Sequence, residues 1–285
     1  MLNKEIKDVG LVLEGGGLRG TFTSGVMDFF LDNEIYFPYA IGVSAGACNG
    51  ISYTSRQRGR SKTTNIEMLE KFQYVGWKTL LRKGTLIDMD LLFIDIPEKL
   101  VPFDFEGYKA SSTFFEMVTT NCQTGKAEYL NEMEDKNLLT KICRASSSLP
   151  YVCKPININN KPMLDGGIVD SIPLQRAIDK GFKKNVVVLT RPKGYRKSSQ
   201  NLHLPRFIYK QYPNLREALN RRNKLYNKQL KFIEEAEKEG NIVVIAPEID
   251  LKVGRLETDT SKLKAIYDLG YSTAQKMFQN GAFNF

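Results

Sequence analysis

Two glycine-rich turns near the start of the chain, each directly after an apolar run, constrain the fold more than any other feature. Val9 to Glu14 reads as a strand and leads into Gly15-Gly16-Gly17-Leu18-Arg19-Gly20; Phe37 to Val43 reads as a second strand and runs into Gly42-Val43-Ser44-Ala45-Gly46. Between them Thr21 to Asn33 has helical spacing, with Val26, Phe29 and Phe30 on the inward side. Strand, glycine loop, helix and strand within about 35 residues make a βαβ unit, whose crossover is expected to be right-handed. Such units build parallel sheets covered by helices on both faces.

The second turn is suited to presenting one hydroxyl. A buried strand end precedes Ser44 and a small-residue helix start, Ala45-Gly46-Ala47-Cys48, follows it, so Ser44 is placed on a strand-to-helix elbow. Gly42 and Gly46 are expected to let the backbone bend there without Cβ clashes.

The rest of the chain continues the alternation. Residues 46 to about 56 read as the helix behind the elbow. From Trp77 to Phe115 clean periodicity is lost in a segment rich in Leu, Ile, Phe and Pro, read as an irregular apolar cap, with Leu86 to Phe105 as a candidate acyl-chain pocket wall. Phe115 to Thr120 and Lys126 to Leu130 form a hairpin pattern. Asn137 to Ala145 is helical, Tyr151 to Ile158 extended, and Asp165-Gly166-Gly167 a loop after the apolar approach Pro162-Met163-Leu164. Pro173 to Lys180 is a short helix, Asn185 to Thr190 and Ile242 to Ala246 are buried strands, and Thr260 to Gln279 is the last helix. With no repeats or flexible linkers, the expectation is one three-layer α/β domain over residues 1–285. It has a central mostly parallel or mixed sheet flanked by helices, its motifs in 9–190 and an α/β extension in 191–285.

Composition excludes several classes. The 285 residues bury a large core without staples. The four cysteines, Cys48, Cys122, Cys143 and Cys153, lack the spacing of a zinc site or disulfide framework and read as reduced thiols. The charged N-terminal residues show no leader pattern, and no apolar run approaches a membrane span. A cytoplasmic protein, with at most peripheral membrane contact, is expected.

An exposed serine facing backbone donors suggests acyl transfer, which needs a base as well. The chain has one histidine, His203, set between basic clusters and away from any strand end. A Ser-His-Asp arrangement would have to use it. The other route is a carboxylate that takes the serine proton directly, and Asp165 is the best placed candidate, although an ordinary Asp turn has the same pattern. Backbone N–H groups of Gly15, Gly16 and Gly17 are candidate oxyanion donors. Two further classes stay open. Gly15-x-Gly17-x-x-Gly20 with Glu34 as the acidic partner would suit a dinucleotide, but Glu34 precedes the second strand instead of ending it. A lipid-binding or regulatory module of the same fold would need no turnover.

Four ordered stretches, Gly15 to Gly20, Gly42 to Gly46, Ala145-Ser146-Ser147-Ser148-Leu149-Pro150 and Asp165-Gly166-Gly167, resemble the motifs of patatin-like phospholipases over roughly residues 9 to 190. The resemblance implies Ser44 and Asp165 as a catalytic dyad. It implies Gly15, Gly16 and Gly17 framing the oxyanion hole, Arg19 helping to fix the loop, and Gly20, Gly42, Gly46, Gly166 and Gly167 supporting the turns. It further implies hydrolysis of carboxylic esters of phospholipids or lysophospholipids through an acyl-enzyme, with no cofactor and no metal ion. Ser148 stands where the family often has Ala, and Asp-Gly-Gly where Asp-Gly-Ala is also frequent.

The net charge of +9 is concentrated. Residues 191 to 231 carry twelve Lys or Arg and one acidic residue, Glu217, leaving the remainder at −2. From Leu215 to Ile233 the apolar residues Leu215, Leu219, Tyr226, Leu230 and Ile233 share one helical face, with Arg221, Lys224, Lys228 and Lys231 opposite. This face reads either as a solvated surface or as a contact for anionic membrane through 191–231. No recognised motif for nucleic acid accompanies the charge.

Overall fold

The apolar pentapeptide Val-Gly-Leu-Val-Leu, buried throughout, sits inside the parallel part of the sheet, where both faces of a strand are covered. The computed structural model describes residues 7–198 and 207–283. Its strands are β1 (Val9–Leu13), β2 (Tyr39–Val43), β3 (Phe114–Asn121), β4 (Ala127–Leu130), β5 (Ile156–Ile158), β6 (Lys161–Asp165), β7 (Lys184–Val188) and β8 (Ile242–Ile245). They form one mixed sheet whose hydrogen-bonded neighbours connect in the path β5-β6-β3-β2-β1-β7-β8, with β4 also paired to β3. The run β3-β2-β1-β7-β8 is parallel, whereas β4 and β6 lie antiparallel to β3, and β5 antiparallel to β6.

Alternation along the strands sends side chains to two separate cores. Leu11, Leu13, Ala40 and Met117 pack with helices α1 (Thr21–Asp32), α2 (Ala45–Thr54) and α3 (Lys136–Ser146). Val12, Ile41, Val43 and Val187 pack on the other face with α4 (Leu174–Asp179) and α5 (Pro213–Lys238). This is the expected three-layer α/β arrangement. The last helix, α6 (Thr260–Gln279), lies against α1, and the two backbones approach so closely that a Cβ on Gly25 would stand 2.0 Å from the Tyr267 carbonyl oxygen. A Cβ on Gly270 would meet the Phe22 carbonyl oxygen at the same 2.0 Å. Among the described residues no helix is long and apolar enough to cross a membrane.

The register of β3 explains how distant segments come together. Val118 pairs with Val43 and Tyr129, and Thr119 with Asp165 and Glu128. A strand residue has one neighbour on each edge, so β4 occupies one edge of β3 while β2 and β6 share the other. Running parallel to β3, β2 stops opposite Val118; running antiparallel, β6 stops opposite Thr119. The C-terminal ends of β2 and β6 therefore meet end to end.

Three local expectations are corrected. Only Ile156–Ile158 of the segment from Tyr151 is strand, because Tyr151 takes a left-handed φ of 70° and the chain turns there, with Cys153 N–H donating to the Leu149 carbonyl. Asp165 is the last residue of β6, and a 3-10 turn, Gly166–Ile168, follows it. The apolar cap holds short helices, Trp77–Lys83 and Phe105–Lys109, and a wide π-type helix, Leu91–Leu100, which tolerates Pro97. Its i→i+5 turn matches neither the 3.6-residue nor the 2-residue period, so the sequence shows no clean repeat there.

Candidate active site

Ser44 itself absorbs the bend of the elbow. Its backbone stands at φ 56° and ψ −118°, outside the allowed wells for a non-glycine residue, at a cost of about 1–3 kcal/mol. The flanking glycines supply space instead. A Cβ on Gly42 would lie 2.4 Å from the Gly46 carbonyl oxygen, and one on Gly46 would lie 2.4 Å from that of Leu13 at the end of β1. What holds the strained residue is Ser146, at the C-terminal end of α3. Its hydroxyl accepts from the Ser44 N–H at 2.9 Å and donates to the Val118 carbonyl at 2.6 Å, tying the elbow to β3. Ser146 is a positioning residue that motif reading left as one of three serines.

Asp165 is 2% exposed, and the same block secures it. Its N–H donates to the Ser148 carbonyl at 2.9 Å, and its carbonyl accepts from the Thr120 hydroxyl at 2.8 Å. The carboxylate Oδ1 accepts from the Gly167 N–H at 2.7 Å, fixing the side-chain rotamer. Gly166 lies so close to β3 that a Cβ would stand 2.3 Å from the Val118 carbonyl oxygen. On the far side, Arg222 of α5 donates from Nε to the Gly167 carbonyl at 2.7 Å.

The meeting of β2 and β6 puts Ser44 and Asp165 on the wall of one cavity of about 360 Å³, together with Gly15, Gly16 and Gly17. The three glycines are not equivalent. Gly15 N–H donates to the Ser171 carbonyl at 3.3 Å. Among the described residues the amides of Gly16 and Gly17 make no hydrogen bond. Gly17 needs its missing side chain twice over, since its φ is +58° and a Cβ would stand 2.6 Å from the Arg255 carbonyl oxygen. Gly20 faces the elbow helix: its carbonyl accepts from Asn49 Nδ2 at 2.8 Å, and an added Cβ would meet that of Ala45. The Arg19 side chain makes no hydrogen bond among the described residues, and Arg19 lines the cavity.

Ser44 also borders a second cavity, of about 120 Å³ and apolar, formed by Ile51, Leu92, Phe93, Ile96, Phe103 and their neighbours. The cap segment from Leu86 to Phe105 thus provides much of its wall. The two cavities share Gly17, Ser44, Leu149 and Arg255, so the serine stands at the junction of an apolar and a polar space.

The polar cavity is strongly basic, lined by Arg19, Arg191, Lys197, Arg222 and Arg255. Burial, with mutual repulsion among these cations, brings Arg19 and Arg222 each down to about 10 and Lys197 down to about 7. The charge run therefore divides. Lys197 and Arg222 turn inward, while Arg221, Lys224, Lys228 and Lys231 stay exposed, and the apolar stripe of α5 is buried against the sheet. Arg222 stands seven residues after Leu215 and four before Tyr226, so its spacing puts it on the apolar stripe, a signal the sequence does carry. His203 lies outside the described residues. Glu34 occupies the turn between α1 and β2, and the end of β2, where a dinucleotide site would place its acid, is taken by the Ser44 elbow.

Residues 11–178 match the family model of the patatin-like phospholipases. The chain belongs to the patatin-like phospholipase family. Residues 212–280, which include all of α5 and α6, match a second model described as a domain of unknown function, DUF6363. Among curated proteins, an uncharacterized Escherichia coli protein, YjjU, is 29% identical over 192 residues, 65% of this chain and 52% of that protein. Lysophospholipase NTE1 of Scheffersomyces stipitis is 22% identical across 97% of this chain and 18% of its own length, and that of Candida albicans 23% across 95% and 20%. The chain thus spans about half the length of the bacterial relative and about a fifth of the yeast ones. Among solved structures, VipD from Legionella pneumophila superposes with a TM-score of 0.52 at 12% identity, covering 96% of this chain and 67% of that one; the likeness is one of fold.

Proposed function

We propose that this patatin-family protein is a serine lipid acyl hydrolase that cleaves carboxylic esters of phospholipids or lysophospholipids, with Ser44 as nucleophile and Asp165 as its base. The observation that carries the reading is the end-to-end meeting of β2 and β6, which sets Ser44 and a buried, rotamer-fixed carboxylate on one cavity with two unbonded glycine amides. Asp165 takes the proton of Ser44 Oγ as that oxygen bonds to the acyl carbon, and the carbonyl oxygen becomes an oxyanion facing the Gly16 and Gly17 N–H groups. Collapse breaks the ester C–O bond, and the departing alcohol takes the proton from Asp165. Water, deprotonated by the same carboxylate, then attacks the acyl carbon; its bond to Ser44 Oγ breaks, Oγ takes the proton back from Asp165, and the fatty acid leaves. The apolar cavity suits the acyl chain.

The test is a panel of lysophospholipid, phospholipid and monoacylglycerol esters with Ser44→Ala as control. Fatty acid release by the wild type and none above background by the variant is the expected outcome; no release from any ester would leave the lipid-binding module standing. Peripheral membrane contact through 191–231 belongs to the same proposal. Since α5 spends its apolar stripe on the core, such contact is electrostatic, worth about 1 kcal/mol per basic residue. Binding to vesicles containing anionic lipid is expected to vanish in high salt, and salt-insensitive binding would contradict it.

A further inference from the structure

The basic cavity holds more positive charge than the protein neutralises. Of its five cations only Arg191 has a carboxylate partner among the described residues, Asp250 at 3.1 Å. Arg222 donates only to a backbone carbonyl, and the side chains of Arg19, Lys197 and Arg255 make no hydrogen bond among the described residues. Arg19 is 6% exposed, with its Nε buried and unpartnered. The two carboxylates on the wall offset part of this charge, yet neither forms an ion pair with a cation of the cavity: Glu14 accepts from Thr190 and Tyr226, and Asp165 from Gly167. Desolvated cations without partners destabilise a fold, and the cost is offset when an anion fills the site.

The anion is identified by what surrounds it. Guanidinium groups match phosphate oxygens with paired N–H donors, and the three guanidinium groups without a carboxylate ion pair, Arg19, Arg222 and Arg255, suit a dianion better than a single negative charge. A zwitterionic head would also need a seat for its ammonium. The ring faces that would provide one are covered already, Tyr226 by Lys197 at 3.5 Å and Tyr195 by Arg191 at 4.7 Å.

We infer that this cavity is a phosphomonoester site, which receives the terminal phosphate of a lipid acyl ester while the acyl chain enters the apolar cavity and the ester rests at Ser44. The inference rests on the hydrolase reading for the position of the ester, yet the site can be tested without turnover. Calorimetry on the Ser44→Ala protein would compare 1-dodecanoylglycerol-3-phosphate, its phosphocholine counterpart, 1-dodecanoylglycerol and inorganic phosphate, each below its aggregation concentration. The phosphomonoester lipid is expected to bind at least about tenfold tighter than either other lipid. Adding Arg255→Gln, which keeps the backbone carbonyl that Leu18 uses, should remove most of that preference, and Arg222→Gln should do the same with the melting temperature checked alongside. Equal affinity for the three lipids, or a preference that survives both substitutions in folded protein, would overturn the site. Inorganic phosphate that competes but binds more weakly assigns the site to the lipid head; binding as tight as the lipid's assigns it to free phosphate and overturns the head-group role. A wild type that hydrolyses nothing while these binding results hold would sink the hydrolase reading and leave the phosphate site intact.

Discussion

Asp165→Asn is expected to lower ester hydrolysis by about 100- to 10,000-fold, the range a positioned general base contributes, while His203→Ala retains most of the activity. The amide is nearly the same size and keeps an oxygen for the Gly167 N–H, so the 3-10 turn after β6 is preserved and the loss falls on proton transfer. Steady-state rates on one soluble ester, with melting curves of each variant, check this. The reverse pattern, a lasting Asp165→Asn enzyme and a dead His203→Ala one, would move the base to histidine.

The second large effect concerns the crossing of α1 and α6. Gly25 and Gly270 let the two backbones touch, and α1 leads directly out of the Gly15–Gly20 loop. Gly270→Val is expected to drive the helices apart and to destabilise the protein by about 1–3 kcal/mol or more, as overpacked contacts do. Denaturant unfolding measures it. Gly240→Ala serves as the comparison: Gly240 has open space around its Cβ position but a φ of +75°, so its cost is local strain of about 1–2 kcal/mol with no repacking. If Gly270→Val unfolded no more readily than Gly240→Ala, the close crossing would not be what holds α6 in place.

The first half of the site was legible because glycine turns interrupt clear strand and helix periods. Residues 9 to 54 fold as read, down to Ser44 between β2 and α2. Asp165 was legible as a residue type beside two glycines, but its route to Ser44 depends on β3 giving one edge to both β2 and β6. No local pattern encodes that sharing. The hydroxyl bridge of Ser146 was hidden for the same reason, since a serine at a helix end looks alike whether it caps, faces solvent or holds a distant elbow. The charge run misled through its density. Read as one outward face, it contains Lys197 and Arg222, which join Arg19 and Arg255 from opposite ends of the chain to line the cavity. Convergence over such separations is a property of the fold, and only the position of Arg222 on the apolar stripe announced it.

Covalent labelling reports on Ser44 as a nucleophile activated by Asp165. Treated with a fluorophosphonate and mapped by peptide mass spectrometry, the wild type is predicted to carry one adduct, on Ser44. Ser44→Ala should carry none, and Asp165→Asn should label far more slowly. An adduct on another serine, or an unlabelled Ser44 in protein that hydrolyses lipid esters, would remove Ser44 as the nucleophile.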